Sequence, residues 1–420
     1  MTRRRDLLLM AGTASAAHLG APSMALAATA PADLAGLYDV DRSITNLDAA
    51  YYGAMTREVR AEYVERLDWV NRRNSAYLRG AVEGHVEDEE MTAVRARVGG
   101  LIGASADEIA LSAGGTEALY ALIVNYRLLK PGDQVILADV DYDEMQHAMA
   151  YLEQSRGAEV VRIALPEPST RDAILDAYER ALAAHPRARL LLLTHLSNRH
   201  GLIPPVREII AMARARGVDV ILDSAQAVGQ IPVNVDELGA DFVGFSLHKW
   251  VAAPLGTGGI YIRKRRLADI SPWLGNRIYD AGDVRARIPT GTVDVAARLT
   301  IPTAIDLHER IGPERKLATL RALRRRWTEA VRDIPGLEIL LPEAPDNEGA
   351  TAAFRLPGMK GLAATRQAQQ ALLHWHKVLV VAKPGLASGP VLRVTPALFN
   401  TAEEMARLVD AIRAERRLFC

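Results

Sequence analysis

Lys249 and Asp223 are the two side chains of this 420-residue chain whose type and setting point to chemistry. The chain holds 51 basic residues, yet only seven are lysine, and the first 129 positions contain none. One of the seven sits in the stretch "GFSLHKW" at 244–250, between a histidine and a tryptophan and after an apolar run. Arginine keeps its proton under all ordinary conditions, whereas a desolvated lysine loses one and becomes a nucleophilic amine. Most lysines are solvated surface groups, so the neighbours of Lys249 must carry the argument. Asp223 lies 26 positions earlier, at the end of "VDVILD". A carboxylate closing a run of Val, Ile and Leu is costly unless something pairs with it, whether a cation, a metal or a protonated ring nitrogen.

Both residues must be held by strands. Short apolar runs recur at 109–113, 134–138, 159–165, 189–195, 218–223, 242–246 and 258–263, with helical patterns at 116–129, 171–185 and 205–216 between them. Continuous apolar strands alternating with helices predict a sheet buried on both faces, an α/β doubly wound architecture. Residues 56–103 read as mostly helical before it, and a long helical stretch over roughly 298–333 follows it. The strand-like "LEIL", "TAAFRL" and "VLVVA" and a last helix opening on the capping box Thr401–Glu404 predict a smaller α+β domain. The expected division is a leader at 1–30, a large domain at 31–312 and a small domain at 313–420.

In an open α/β sheet, ligands bind beyond the carboxyl ends of the strands. Four such ends carry polar groups. "IALSAGGTEALY" turns through Gly114–Gly115 into a helix at Thr116, where free N–H groups suit an anion. "LTHLSNRHG" supplies Ser197 and Asn198, "VDVILDSAQ" supplies Asp223 and Gln226, and "FSLHKW" supplies Ser246, His248 and Lys249. Together they offer an anion cup, an isolated acid, neutral hydrogen-bonding groups and a scarce lysine. Pyridoxal phosphate requires all four, having a phosphate, a pyridine nitrogen, a phenolic oxygen and an aldehyde that forms a Schiff base with an amine.

The segment "DSAQAVGQIPVNVDELGADFVGFSLHKW", followed by "GTGGIYIRK", resembles the cofactor signature of class V aminotransferases, which are fold-type I pyridoxal-phosphate enzymes. "THLSNRHGLIPPVREI" is similar to the isopenicillin N epimerase-like branch, with cysteine desulfurases as cousins. The resemblance covers roughly 40–415. It implies a seven-stranded, mainly parallel large sheet, with Lys249 as the Schiff-base lysine and proton shuttle and Asp223 on the pyridine nitrogen. Asn198 and Gln226 are implied near the phenolic oxygen, and Gly115, Thr116, Ser246 and His248 around the phosphate. Gly291 and Thr292, in "PTGTVDVA", match a loop that reaches the neighbouring subunit's phosphate, which implies a homodimer. Arg393, in "VLRVTPALFN", matches the arginine that grips a substrate carboxylate.

The chain departs from its cousins at two points. They often place a histidine on the face of the cofactor ring; here the turn reads "DVDYDEM", with Tyr142 the candidate and Val140 nearer in simple alignment. Desulfurases need a cysteine on the loop before the carboxylate arginine; here that loop is "KPGLASGP", with Ser388. The only cysteine is Cys420, so no internal disulfide can form.

Other signals narrow the function. Net charge is zero and no long basic run occurs, which disfavours nucleic acid. No G-x-x-x-x-G-K-[ST] occurs, and "GTGG" at 256–259 is no dinucleotide fingerprint, which disfavours an NAD-type enzyme. His374 and His376 lack a third ligand and fit a surface helix better than a metal site. Trp273 and Tyr279 are candidates for the substrate mouth or, equally, for core packing. The N-terminus "MTRRRDLLLMAGTASAAHLGAPSMALAATA" places Arg4–Arg5 before a weakly apolar, Ala-rich run with "ALA" at 25–27. It resembles a twin-arginine export signal, which implies a folded, cofactor-loaded, periplasmic or exported protein handled by the twin-arginine machinery. Relatives with this signal modify the glutamyl group of the siderophore pyoverdine, which implies a tailoring step on a secreted peptide-like metabolite. The alternatives are a free amino-acid aminotransferase or epimerase and, from another class, a cofactor-binding protein without turnover.

Overall fold

The computed structural model describes residues 34–342 and 347–419. The leader at 1–30 and Cys420 lie outside them. In chain order the strands are β1 (Thr45–Asn46), β2 (Ile109–Ser112), β3 (Gln134–Ala138), β4 (Glu159–Ile163), β5 (Ala188–Thr194), β6 (Asp219–Asp223), β7 (Phe242–Ser246) and β8 (Gly258–Ile262), then β9 (Glu338–Leu340), β10 (Ala352–Arg355), β11 (Val378–Leu379), β12 (Val381–Lys383) and β13 (Val391–Val394).

All seven apolar runs of the first half enter one seven-stranded sheet of order β2-β8-β7-β6-β5-β3-β4. Only β8 is antiparallel to its neighbours, so the other six strands point their carboxyl ends to one edge. The pleat sends alternate residues to opposite faces. Leu191 and Leu193 therefore join one buried cluster and Leu190 and Leu192 the other. Burial on both faces is why these strands read as unbroken apolar runs rather than as alternating ones.

A four-stranded antiparallel sheet, β12-β13-β10-β9, forms over a third core around Trp327, Phe354 and Leu392. Its last helix, Ala402–Glu415, starts at the expected capping box, with Thr401 Oγ1 accepting from Glu404 N and the Glu404 carboxylate accepting from Thr401 N. The long helix expected over 298–333 is instead two helices, Val295–Ile311 and Pro313–Ala330. Gly312 breaks it at φ +87°, a backbone region that costs glycine little, and Pro313 restarts it at a position where its missing N–H is not needed.

The N-terminal segment holds the two bodies together. β1 pairs in parallel with β11, and Leu47 enters the third core. Six residues on, Gly53 N–H donates to the His248 carbonyl at 2.9 Å. A Cβ on Gly53 would stand 2.1 Å from the Lys249 carbonyl oxygen, so only glycine allows this approach. Gly53→Ala should therefore destabilise the protein by about 1–3 kcal/mol. Gly100→Ala, at a helical glycine with open space around its Cβ, should stabilise it by about 0.5–1 kcal/mol. Thermal melts of the two variants against wild type check both signs.

Candidate active site

The carboxyl ends of β2, β5, β6 and β7 open into one cavity of about 780 Å³. Asp223 ends β6 level with Thr194, the end of β5, and opposite Gly244 of β7, which runs two residues further to Ser246. Lys249 follows β7 in a turn held by backbone bonds, with Leu247 N donating to Thr257 O at 3.0 Å and Ala253 N to Leu247 O at 3.2 Å. Beneath it the Trp250 indole N–H donates to Gln226 Oε1 at 2.8 Å, and Gln226 Nε2 donates to Ala50 O at 2.8 Å. The Gln226 amide thus ties both the N-terminal segment and the lysine turn to the end of β6.

Burial and charge tune the two central groups. Burial pulls the Lys249 amine down to about 8; the Asp223 charge acts upward, and Arg393 and Lys383 act downward. Burial also raises the Asp223 carboxyl above the usual range, opposed by the Ala225 N–H, which donates at 2.9 Å, and by Lys249. Each group is thus desolvated and the other opposes its neutralisation, the environment in which catalytic groups acquire shifted pKa values.

The anion cup is built from the turn after β2. Gly115 N–H opens the helix Gly115–Val124 and donates to Ser246 Oγ at 3.0 Å. A Cβ on Gly115 would meet the Ala225 Cβ at 2.9 Å and Ser246 Oγ at 3.0 Å, so the close approach of the three turns depends on its absence. Thr116 follows on the cavity wall. His248 lies against Gly114, and its Nδ1 donates to the Thr257 carbonyl at 2.8 Å. Because a carbonyl only accepts, Nδ1 carries the proton of the neutral ring.

Tyr142 lines the cavity, whereas Val140 is buried in the core. The turn between them is fixed by Asp141, which accepts from Thr194 Oγ1 at 2.6 Å and Ala138 N at 2.7 Å; burial pushes its carboxyl up to about 7. Asn198 and Arg393 are also on the wall, with Arg393 Nη1 donating to the Asn198 carbonyl at 3.0 Å and Nη2 to Asp48. Trp273 lines the cavity and also packs against the second core cluster. Tyr279 does not: it sits in a separate groove under Arg285, whose guanidinium carbon is 4.3 Å from the ring centroid. Gly291 and Thr292 stand exposed outside the cavity. Ser388 is held by Glu167 and Arg355 away from the cavity, and His376 is engaged by Glu415 at 2.9 Å.

Sequence reading missed Asp48, Tyr51, Tyr52 and Lys383, all of which join or adjoin this wall. The scarcity of lysine that singled out Lys249 would have singled out Lys383 too. Nothing local marks Tyr51 or Tyr52, which reach the site only because Gly53 docks on the lysine turn.

The residues fit pyridoxal phosphate. The N-terminus of the helix Gly115–Val124 at the cavity wall suits a phosphate, the buried Asp223 suits a protonated pyridine nitrogen, and the partly desolvated Lys249 suits the aldehyde. When bound there, the cofactor serves as a sink for electrons released at the carbon bearing a substrate amine. Six aligned strand ends and this set of groups define a fold-type I pyridoxal-phosphate enzyme.

Comparison with known proteins agrees. The chain belongs to the class V aminotransferase family, whose model matches residues 68–408. It is 30% identical over 335 residues to isopenicillin N epimerase of Streptomyces clavuligerus, covering 75% of this chain and 81% of the relative. It is likewise 30% identical over 346 residues to a cysteine desulfurase of Serratia proteamaculans, covering 79% and 83%. The cysteine desulfurase CsdA of Escherichia coli superposes with a TM-score of 0.77 at 22% identity, over 93% of this chain and all of the other.

Cofactor-free protein should take up pyridoxal phosphate only through the neutral Lys249 amine. Uptake, followed by absorbance, should rise with pH and level off above about 8. Asp223→Asn removes the charge that holds the amine's proton, so its profile should move to lower pH. Lys249→Ala should lose the covalent absorption band altogether.

Proposed function

We propose that this protein is an exported enzyme that acts at the amino-bearing carbon of an amino acid, or of an amino-acid residue within a secreted peptide-like metabolite. The carrying observation is that the half-buried Lys249 and the buried Asp223 line one cavity past the ends of adjacent strands, where each acts on the other's charge. In this reading Lys249 moves the proton at the substrate carbon and Arg393 orients the carboxylate. Tyr142 covers one face of the cofactor, Asn198 and Gln226 flank its phenolic oxygen, and Gly115, Thr116, Ser246 and His248 hold its phosphate. The reaction is transamination or oxidative decarboxylation of the siderophore-tailoring kind. The protein works as a homodimer, with the exposed Gly291–Thr292 loop completing the partner's phosphate site, and its large and small domains meet near residue 312.

Sulfur transfer is disfavoured on chemical grounds. It needs a thiol near the carboxylate arginine, and the sole cysteine is Cys420, while Ser388 is tied to Glu167 and Arg355. The second reading is a free amino-acid epimerase or aminotransferase; the likeness to isopenicillin N epimerase favours its epimerase form. Export is supported by Arg4–Arg5 ahead of the Ala-rich run. A chain with both arginines changed to lysine should remain cytoplasmic with its leader attached, seen by fractionation and mass spectrometry.

Screening periplasmic metabolites for a change of mass or of configuration at the amino-bearing carbon, with and without dioxygen and with and without a keto acid, separates the reactions. Dioxygen dependence indicates oxidative decarboxylation, keto-acid dependence indicates transamination, and inversion without either indicates epimerisation. A cofactor-loaded protein whose spectrum responds to no amine would be a binding protein without turnover and would overturn the proposal.

A further inference from the structure

Lys383 is not among the residues that the family resemblance assigns, yet it faces the same cavity as Lys249 and Arg393. Its place follows from strand register. β12 and β13 are antiparallel, with Val381 opposite Arg393 and Lys383 opposite Val391. Lys383 is two residues from Val381, so it shares a sheet face with Arg393 as its diagonal neighbour, about 7–8 Å away between backbones. Two cations on one face repel unless an anion lies between them.

The anions already present do not satisfy this pair. Arg393 is 4% exposed; its Nη1 and Nη2 are used by the Asn198 carbonyl and Asp48, but its buried Nε has no hydrogen-bond partner. Lys383, whose side chain is 16% exposed, has its Nζ 3.7 Å from Asp143 Oδ2, beyond hydrogen-bonding distance. The other oxygen of Asp143 accepts from Arg199 Nη2 at 2.7 Å. Arg199 also donates to the Pro384 carbonyl, which follows Lys383, and so fixes the chain that presents it. Among the described residues, this wall sets Arg393, Arg199 and Lys383 against Asp48 and Asp143, leaving one positive charge in surplus.

We propose that Lys383 and Arg393 hold one substrate carboxylate between them, and that Lys383 is the residue that selects an acid over its amide. This rests on reading the cavity as the site of an amino-acid substrate. The carboxylate takes a Lys383 ammonium proton and lies against the part of the Arg393 guanidinium that lines the cavity, neutralises the surplus charge and removes the repulsion along the sheet face. A guanidinium and an ammonium differ here: the guanidinium fixes orientation through planar donors, and the ammonium supplies a compact charge. An amide offers the same carbonyl but no charge, so it gains the Arg393 contact and little from Lys383.

The test uses cofactor-loaded full-length protein with 3-phenylpropionate and 3-phenylpropionamide, which lack an amine and cannot react, and calorimetry as the readout. Wild type should bind the acid at least about tenfold more tightly than the amide. Lys383→Met should erase most of that preference by weakening the acid alone, and Lys383→Arg should retain it, both with the cofactor absorption band of wild type. A loss of fold or of general cavity shape would weaken acid and amide together. Equal acid and amide affinity in wild type, or undiminished acid preference in Lys383→Met, overturns the clamp while leaving the cofactor reading intact. A wild type that takes up no cofactor overturns that reading instead.

Discussion

The site depends on taking one amine partly out of water. Lys249 is half-buried on the cavity wall; of the charges that act on it only Asp223 helps to keep its proton on, and desolvation wins, drawing the amine down to about 8. An exposed lysine would stay protonated and unreactive near neutrality; a buried one opposite a strong ion pair would be locked as a cation. Asp223 avoids the second outcome because it is buried and its own carboxyl is raised. The rest of the structure maintains this balance: the sheet sets β6 and β7 side by side, Gln226 and Trp250 brace the turn, and Gly53 closes over it.

Seen from this balance, the glycines of the site have a common purpose. Gly115 lets the turns after β2 and β7 approach, and Gly53 lets the N-terminal segment lie on the Lys249 carbonyl. Each removes a methyl group where it would force the turns apart. The polar wall opposite works differently. Arg393, Arg199, Asp48, Asp143 and Lys383 come from separated parts of the chain and are held by interlocked ion pairs. Burying such pairs is expensive unless their geometry is enforced, and here the small sheet and the Asp141 turn enforce it.

Much of the large sheet and of the cofactor end was legible in the sequence. Asp223, Ser246, His248 and Lys249 each sit at or just past the end of an apolar run, so the run places them before any tertiary contact is known. Tyr142 against Val140 was not settled by alignment. The structure separates them because Asp141 is turned inward, which buries Val140 and brings Tyr142 to the cavity. The break at Gly312 was present as a Gly-Pro pair within a helical pattern strong enough to read through it. Asp48, Tyr51 and Tyr52 were invisible for a different reason. Their position is decided by pairing with β11 and β13, more than 300 residues away, and no local pattern encodes such a contact.

That distance also orders events in time. Asp48 and Arg393 are 345 positions apart, and the segment carrying Asp48 covers the lysine turn five residues later. As the chain emerges from a ribosome, the large sheet can form once β8 has been made, but the pocket's roof has no anchor until β11 and β13 follow. A nascent chain therefore passes through a stage in which the reactive amine is assembled yet still wet. Its chemistry begins only when nearly the whole polypeptide has been synthesised and its two far ends have met.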